Sequence, residues 1–253
     1  MTQKHMTIAW LYPDLMSIYG DRGNIVTINK RCSERGIKTT ILPITLTSNP
    51  IDILSSDIIF AGGAQDSQQS IVSVDLKKNK GLALREAIER GTPGLYICGA
   101  YQFLGHYYKE ATGNILPGLG IFDLYTENPG ENHKRLIGNV SIDASHLFPK
   151  SPIKTLVGFE NHGGRTYLGK SVKPLGKVIS GFGNNGKDHT EGAIFHNSFG
   201  SYFHGPILPK NPHLADLLIK KALELKYKEP ITLLPLDDSL AYQAHREIIK
   251  KIQ

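Results

Sequence analysis

The chain has 253 residues, ten histidines, two cysteines and a formal charge of +6. That length supports a full hydrophobic core, two cysteines exclude a disulfide-built scaffold, and the lack of an apolar leader or membrane-length run points to a soluble, cytosolic protein. The basic residues are dispersed (Lys77-Lys78, Lys220-Lys221, Lys250-Lys251), with no arginine-rich arm and no zinc spacing, so solvated helix faces are expected rather than a nucleic-acid surface.

In chain order, residues 7–12 read as a first core strand ending at Pro13. Residues 20–24 form a turn, and 25–35 a helix that stops before Gly36. Residues 38–44 are β-branched and strand-like, and 57–60 form a buried strand opening into Ala61-Gly62-Gly63-Ala64. A helical region over 68–90, interrupted near Gly81, leads to a short strand, Leu95 to Ile97, that runs into Cys98. Strand and helix alternating at this spacing predict a parallel sheet covered on both faces. From Gly118 to Phe203 the pattern changes to short strands at 135–142, 155–159, 177–181, 193–195 and 200–204, expected as antiparallel hairpins added to the same sheet. Two helices close the chain. Asn211 is the expected cap of the first, over 212–227, and Asp237-Asp238-Ser239 opens the second, over 240–252. Their apolar stripes, Leu214, Leu217, Leu218, Ala222 and Leu225, then Leu240, Ala244, Ile248 and Ile252, are expected to face core or an interface.

Cys98 lies in GLYICGAYQFLG, where a strand gives way to a helix-compatible run through Gly99 and Ala100. A nucleophile on such a turn needs small neighbours, and the N–H groups of the following helix favour a thiolate. A buried structural cysteine is the competing reading. A nucleophilic cysteine needs a base, and His204 ends a strand before Gly205-Pro206, at a sheet edge where reacting groups gather. A structural turn residue is the alternative for His204. His5, His213 and His245 sit in a terminus or on helices, where a surface role is the default. The glycines of AGGAQD permit close backbone approach to an oxyanion. No phosphate loop occurs anywhere, so no ATP site is evident.

Together these residues resemble class I (triad-type) glutamine amidotransferases, in the cobyric-acid-synthase-like branch. The resemblance rests on CGAYQFLG at Cys98, AGGAQD from Ala61, GFENHGGRT from Gly158 to Thr166, and SYFHGP around His204. LYPDLMSIYGDRGNI, KRLIGN around Arg135, NNGKDHTEGA and HGPILPKNP narrow it to the glutaminase subunits of lipid II isoglutaminyl synthases. These segments run from residue 11 to residue 212.

The resemblance implies an α/β, flavodoxin-like three-layer fold: a mostly parallel central sheet with antiparallel additions in the second half, as a single glutaminase domain over residues 1–253. It implies that Cys98 attacks the carboxamide of glutamine and that His204 passes the proton to departing ammonia. Backbone N–H groups of Gly63 and Gly99 would form the oxyanion hole. Gln102 matches a position that helps hold the substrate, and Arg135 is the candidate to grip its α-carboxylate, with a surface salt bridge as the alternative. Glu160 and His162 are secondary, as pocket-wall residues.

Most triad-type members carry an acid two residues after the histidine, where this chain has Pro206. Either a Cys–His dyad operates, or an acid comes from elsewhere, first of all from a partner subunit. The implied partner is a Mur-ligase-like subunit (MurT) in a heterodimer. It uses ATP and Mg²⁺ to amidate D-glutamate of the lipid II stem peptide to D-isoglutamine, while this chain holds no cofactor or metal and works near the inner face of the membrane. The competing expectations are a subunit of another cobyric-acid-synthase-like ligase, a DJ-1-like cysteine hydrolase, and a non-catalytic binding module.

Overall fold

A computed structural model describes residues 3–252. Its elements in chain order are β1 (His5–Leu11), α1 (Arg22–Ser33), β2 (Lys38–Ile44), α2 (Ile51–Leu54), β3 (Ile58–Ala61), α3 (Asp66–Asp75), α4 (Gly81–Glu89), β4 (Gly94–Ile97) and α5 (Gly99–Leu104). The second half runs β5 (Tyr107–Lys109), β6 (Ile115–Pro117), β7 (Leu124–Glu127), β8 (Leu136–Asp143), β9 (Thr155–His162), β10 (Arg165–Leu168) and β11 (Gly176–Ser180). It continues with β12 (Thr190–Glu191), β13 (Ala193–Phe195), β14 (Ser198–Ser201), β15 (Phe203–His204), α6 (Pro212–Tyr227) and α7 (Ser239–Ile252).

The central sheet has the order β13-β14-β4-β3-β1-β2, parallel throughout except for the antiparallel β13 at its edge. Every residue of β3 and β4 is buried, as expected for strands covered on both faces. On one side α1 packs with α6, and elsewhere α2 packs with α4. Ile58, Ile59 and Phe60 are wholly inaccessible, and burial of such a side chain stabilises by roughly 1.5–3 kcal/mol.

The parallel register sets the site. Leu11 lies beside Ala61, Ala61 beside Tyr96, and Ile97 beside Ser201. The loops after β1, β3, β4 and β14 therefore leave from one carboxyl edge, where ligands of open α/β sheets bind.

The second half differs from the expected extension of one sheet. Only β13 and β14 join the central sheet; the other strands build a four-stranded sheet, β10-β7-β5-β6, and a five-stranded sheet, β12-β11-β8-β9-β15. Alternating polarity marks a strand without naming its neighbour, and the strand expected over 200–204 divides between two sheets at Tyr202.

The structure differs locally from the sequence pattern at several other points. The first helix begins at Arg22, three residues early, and the interruption before Gly81 is a π-helical turn over Leu76–Lys80. Asn211 does not cap α6 through its side chain. Its amide donates to the carbonyls of Val157 and Ile207 and accepts from the Val157 N–H, tying the start of α6 to β9. In α6, Leu225 is exposed, and in α7 the buried residue is His245 rather than the Leu240 stripe; Leu240 is 77% exposed. The His245 ring instead bonds Thr155 Oγ1 and the Lys210 carbonyl. No helix among the described residues is long and apolar enough to cross a membrane.

Candidate active site

Cys98 sits between β4 and α5 with φ 52° and ψ −107°, a conformation that side-chain-bearing residues rarely adopt. Three bonds and contacts hold it there. The Cys98 N–H donates to the Ser201 carbonyl at 2.8 Å, and the Cys98 carbonyl accepts from the Gln102 N–H at 2.9 Å. The Tyr101 ring packs over Gly200 so closely that a Cβ there would meet it at 2.1 Å. Because α5 has only six residues, its macrodipole is small.

His204 is fully buried and pairs with Phe159 of β9. Its Nδ1 lies 3.3 Å from Asp21 Oδ1, and Tyr19 closes over it edge-on with ring centroids 4.8 Å apart. Its Nε2 has no hydrogen-bond partner among the described residues. Burial pushes the imidazole down, but the neighbouring Cys98 sulfur and the Asp21 carboxylate outweigh it and carry His204 up to about 10. His204 is thus held towards its imidazolium form.

The carboxylate that faces His204 Nδ1 is Asp21. It belongs to the same chain, in the turn before α1, with no exposed surface. A glycine-flanked aspartate in a turn carries no catalytic signal of its own; only the order of strands brings it beside a histidine 183 positions away. The same strand order brings Tyr19 over the His204 ring.

The expected oxyanion role of Gly63 is corrected. Its N–H donates to Asp21 Oδ2 at 2.7 Å, so that donor is already engaged. The absence of a side chain at Gly63 serves another purpose, since a Cβ there would stand 2.9 Å from His204 Cε1. Ala64, the next residue, lines the cleft, and its backbone nitrogen lies close to Gly99.

The cleft beside Cys98 has a volume of about 240 Å³, suited to an amino-acid-sized ligand, and is lined by Tyr19, Ala64, Gln102, Arg135, Asn161 and His162, among others. Arg135 immediately precedes β8, beside the Gly163-Gly164 turn that follows β9. Asn161 orients its guanidinium: Arg135 Nε donates to Asn161 Oδ1 and Nη2 to the Asn161 carbonyl, both at 2.9 Å. Asn161 in turn donates to the Tyr19 hydroxyl. Arg135 makes no surface salt bridge among the described residues; its outer edge remains for a carboxylate. Gln102 donates Nε2 to Tyr202 Oη at 3.1 Å, which leaves Oε1 as an acceptor without a partner among the described residues.

Glu160 and His162 shape the wall. Both Glu160 oxygens are taken by the N–H groups of Phe182 and Gly183. His162 stacks on Tyr202 at 3.6 Å, donates Nδ1–H to the Gly164 carbonyl, and is driven towards its neutral form by burial.

A strained cysteine, a buried histidine raised in basicity and an acid behind it, at the carboxyl edge of a flavodoxin-like sheet, define a cysteine-dependent hydrolytic site. Residues 7–212 match the CobB/CobQ-like glutamine amidotransferase domain, and the chain belongs to that family. It is similar to the lipid II isoglutaminyl synthase (glutamine-hydrolyzing) subunit GatD of Staphylococcus aureus, with 41% identity covering 97% of this chain and 96% of that one. The GatD subunit of Streptococcus pneumoniae is 40% identical over 96% of this chain and 90% of its own. Among solved structures, a glutamine amidotransferase covers 85% of this chain and 98% of its own, at 13% identity and a TM-score of 0.58. Another, from Thermotoga maritima, covers 98% and 94%, at 17% identity and a TM-score of 0.51. These likenesses confirm the fold.

Proposed function

We propose that residues 1–253 form a single glutaminase domain, the glutamine-hydrolysing subunit of a lipid II isoglutaminyl synthase. The observation that carries the chemical part is Cys98 in a cleft lined by Arg135 and Gln102, with the buried His204–Asp21 pair beside it. The near-full-length identity to two GatD subunits supports the acceptor.

Glutamine enters with its α-carboxylate on Arg135 and its α-ammonium towards Gln102 Oε1. Cys98, its proton held by His204, attacks the side-chain carboxamide carbon. Backbone N–H groups of Gly99 and Ala64 take the oxyanion; such donors typically lower the barrier by about 3–4 kcal/mol each. The C–N bond breaks as His204 returns its proton to nitrogen, releasing ammonia and leaving a γ-glutamyl thioester on Cys98. Water then adds to the thioester with His204 as base, and glutamate departs. Asp21 keeps Nδ1 protonated and the ring oriented throughout.

The ammonia passes to a Mur-ligase-like partner, MurT, in a heterodimer. That partner uses ATP and Mg²⁺ to activate the α-carboxyl of D-glutamate in the lipid II stem peptide, near the inner face of the membrane. Neither nucleotide nor metal is bound by the glutaminase chain in this scheme. Half-exposed Tyr19 and Ile137, with the partly exposed Phe159, surround the His204 end of the site and offer the partner an apolar docking rim.

The test is glutamate release from glutamine, with and without the partner. Cys98→Ala and His204→Ala each lower it by at least a thousandfold. With ATP, Mg²⁺ and lipid II, the complex carrying Cys98→Ala still amidates from free ammonia but not from glutamine. Full glutamine hydrolysis by Cys98→Ala would sink the assignment.

A further inference from the structure

The chain changes sheets between the two catalytic residues. β14 lies beside β4 in the central sheet, and its Ser201 carbonyl anchors the Cys98 N–H at 2.8 Å. One residue later the backbone leaves that sheet, and β15 carries His204 along β9. The crossing consists of Ser201, Tyr202 and Phe203, and its backbone lacks ladder partners at Tyr202.

Glu191, at the end of β12, reaches this crossing from the side and is completely buried. Its Oε1 accepts from Ser201 Oγ–H at 2.6 Å and from the Tyr202 N–H at 3.0 Å. Ser201 Oγ accepts in turn from the Phe203 N–H at 3.0 Å. Through these bonds one carboxylate oxygen secures the crossing, with the Cys98 anchor on one side and His204 on the other. We propose that Glu191 is a positioning residue of the glutaminase, fixing the Ser201–Phe203 crossing so that Cys98 and His204 keep their reactive register. The inference rests on the glutaminase reading and adds to it a residue that touches neither substrate nor nucleophile.

The second oxygen supports a geometric rather than a charge-bearing role. Glu191 Oε2 has no hydrogen-bond partner among the described residues. Burial drives the carboxyl up to about 7, against the bonds from Ser201 and Tyr202, so the protonated acid is readily populated. A glutamine at this position keeps Oε1 as acceptor and displaces no existing bond at Oε2. Alanine removes both acceptors and leaves the Tyr202 N–H buried without a partner, a costly state for a backbone donor.

The experiment compares the full-length wild type with Glu191→Ala, Glu191→Gln and Ser201→Ala. It measures kcat and KM for glutamine hydrolysis and the rate of Cys98 alkylation by iodoacetamide across pH. Glu191→Ala is expected to lose at least tenfold in kcat with KM within about twofold, and to change the alkylation profile. Glu191→Gln is expected within about threefold of wild type on both readouts. Ser201→Ala should reproduce the split between kcat and KM, and decides the matter if Glu191→Ala does not fold. Wild-type kcat in folded Glu191→Ala or in Ser201→Ala overturns the proposal, as does Glu191→Gln as impaired as Glu191→Ala. A wild type that alkylates at Cys98 but never hydrolyses glutamine overturns the glutaminase reading instead, and the alkylation profiles still judge Glu191.

Discussion

Asp21 accepts from the Gly63 N–H through one oxygen and faces His204 Nδ1 through the other, so a single carboxylate couples the glycine loop to the base. Asn at this position keeps one acceptor but turns an N–H₂ group or a neutral oxygen towards Nδ1, removing the charge that favours imidazolium. Asp21→Asn is therefore expected to lower kcat at least tenfold with little change in KM. Because His204 stands at about 10 against an ordinary 6.5, its contribution to stability is complete below 6.5 and disappears as pH rises through about 10. In Asp21→Asn the alkaline limb of both activity and stability moves to lower pH; an unmoved limb in rate and urea-unfolding profiles would show that Asp21 does not act on His204. Glu191 has a different pH signature. Its folded-state value is raised from 4.5 to about 7, so the protein loses stability as pH climbs through that interval. Glu191→Gln should accordingly melt several degrees above wild type at pH 8 and show no such gain at pH 4, which thermal denaturation at the two pH values will reveal.

Two elements distant in sequence depend on one charged cluster. Arg31 of α1 and Arg35 just beyond its end both grip Asp216 of α6, and Arg31 also holds Asp238 just before α7. The arginine side chains are only 8% and 3% exposed, so these pairs are poorly screened. Removing one carboxylate leaves cationic charge with too few partners, and for buried pairs that costs more than the pair itself contributes. Asp216→Ala should lower unfolding stability by about 2–4 kcal/mol in urea titration, discounting for the partial exposure of the aspartate. Asp238→Ala should do less globally and should raise proteolytic cleavage between α6 and α7. The loop between β11 and β13 is also held by carboxylates, Glu160 at Phe182–Gly183 and Glu191 at the Ser201 crossing. The same loop is pinned internally by Asn184, which bonds both the N–H and the carbonyl of Gly192. The NNGKDHTEGA motif thus forms a compact brace beside the site.

At the scale of the whole molecule, what was legible in the sequence follows from the range of the interactions involved. Strand β2 over Lys38–Ile44 and helix α6 over Pro212–Tyr227 match their expected limits, because pattern, cap position and flanking residues act locally. Cys98 and His204 could be picked out because each ends a strand at a glycine-bearing turn. The strand order was not legible, and with it went Asp21, the Tyr19 cover and the captured Gly63 N–H. Each of those depends on β1 lying between β2 and β3, with β4 next to β3 on the far side. The assignment of β15 to a separate sheet was hidden likewise, since a period of two is the same on either side of Tyr202.

The crossing at Tyr202 also has a temporal consequence. Cys98 is locked by a strand that arrives about a hundred residues later, and His204 reaches Asp21 across 183 positions. Such contacts close long loops and form late in folding. A chain refolding from urea should regain helical signal early but hydrolyse glutamine only with its slowest phase. On a ribosome, the segment ending at Ile97 would emerge with four of the six central strands and without Cys98. A chain cut short before β14 and β15 thereby lacks both the Ser201 anchor of Cys98 and the His204 imidazole.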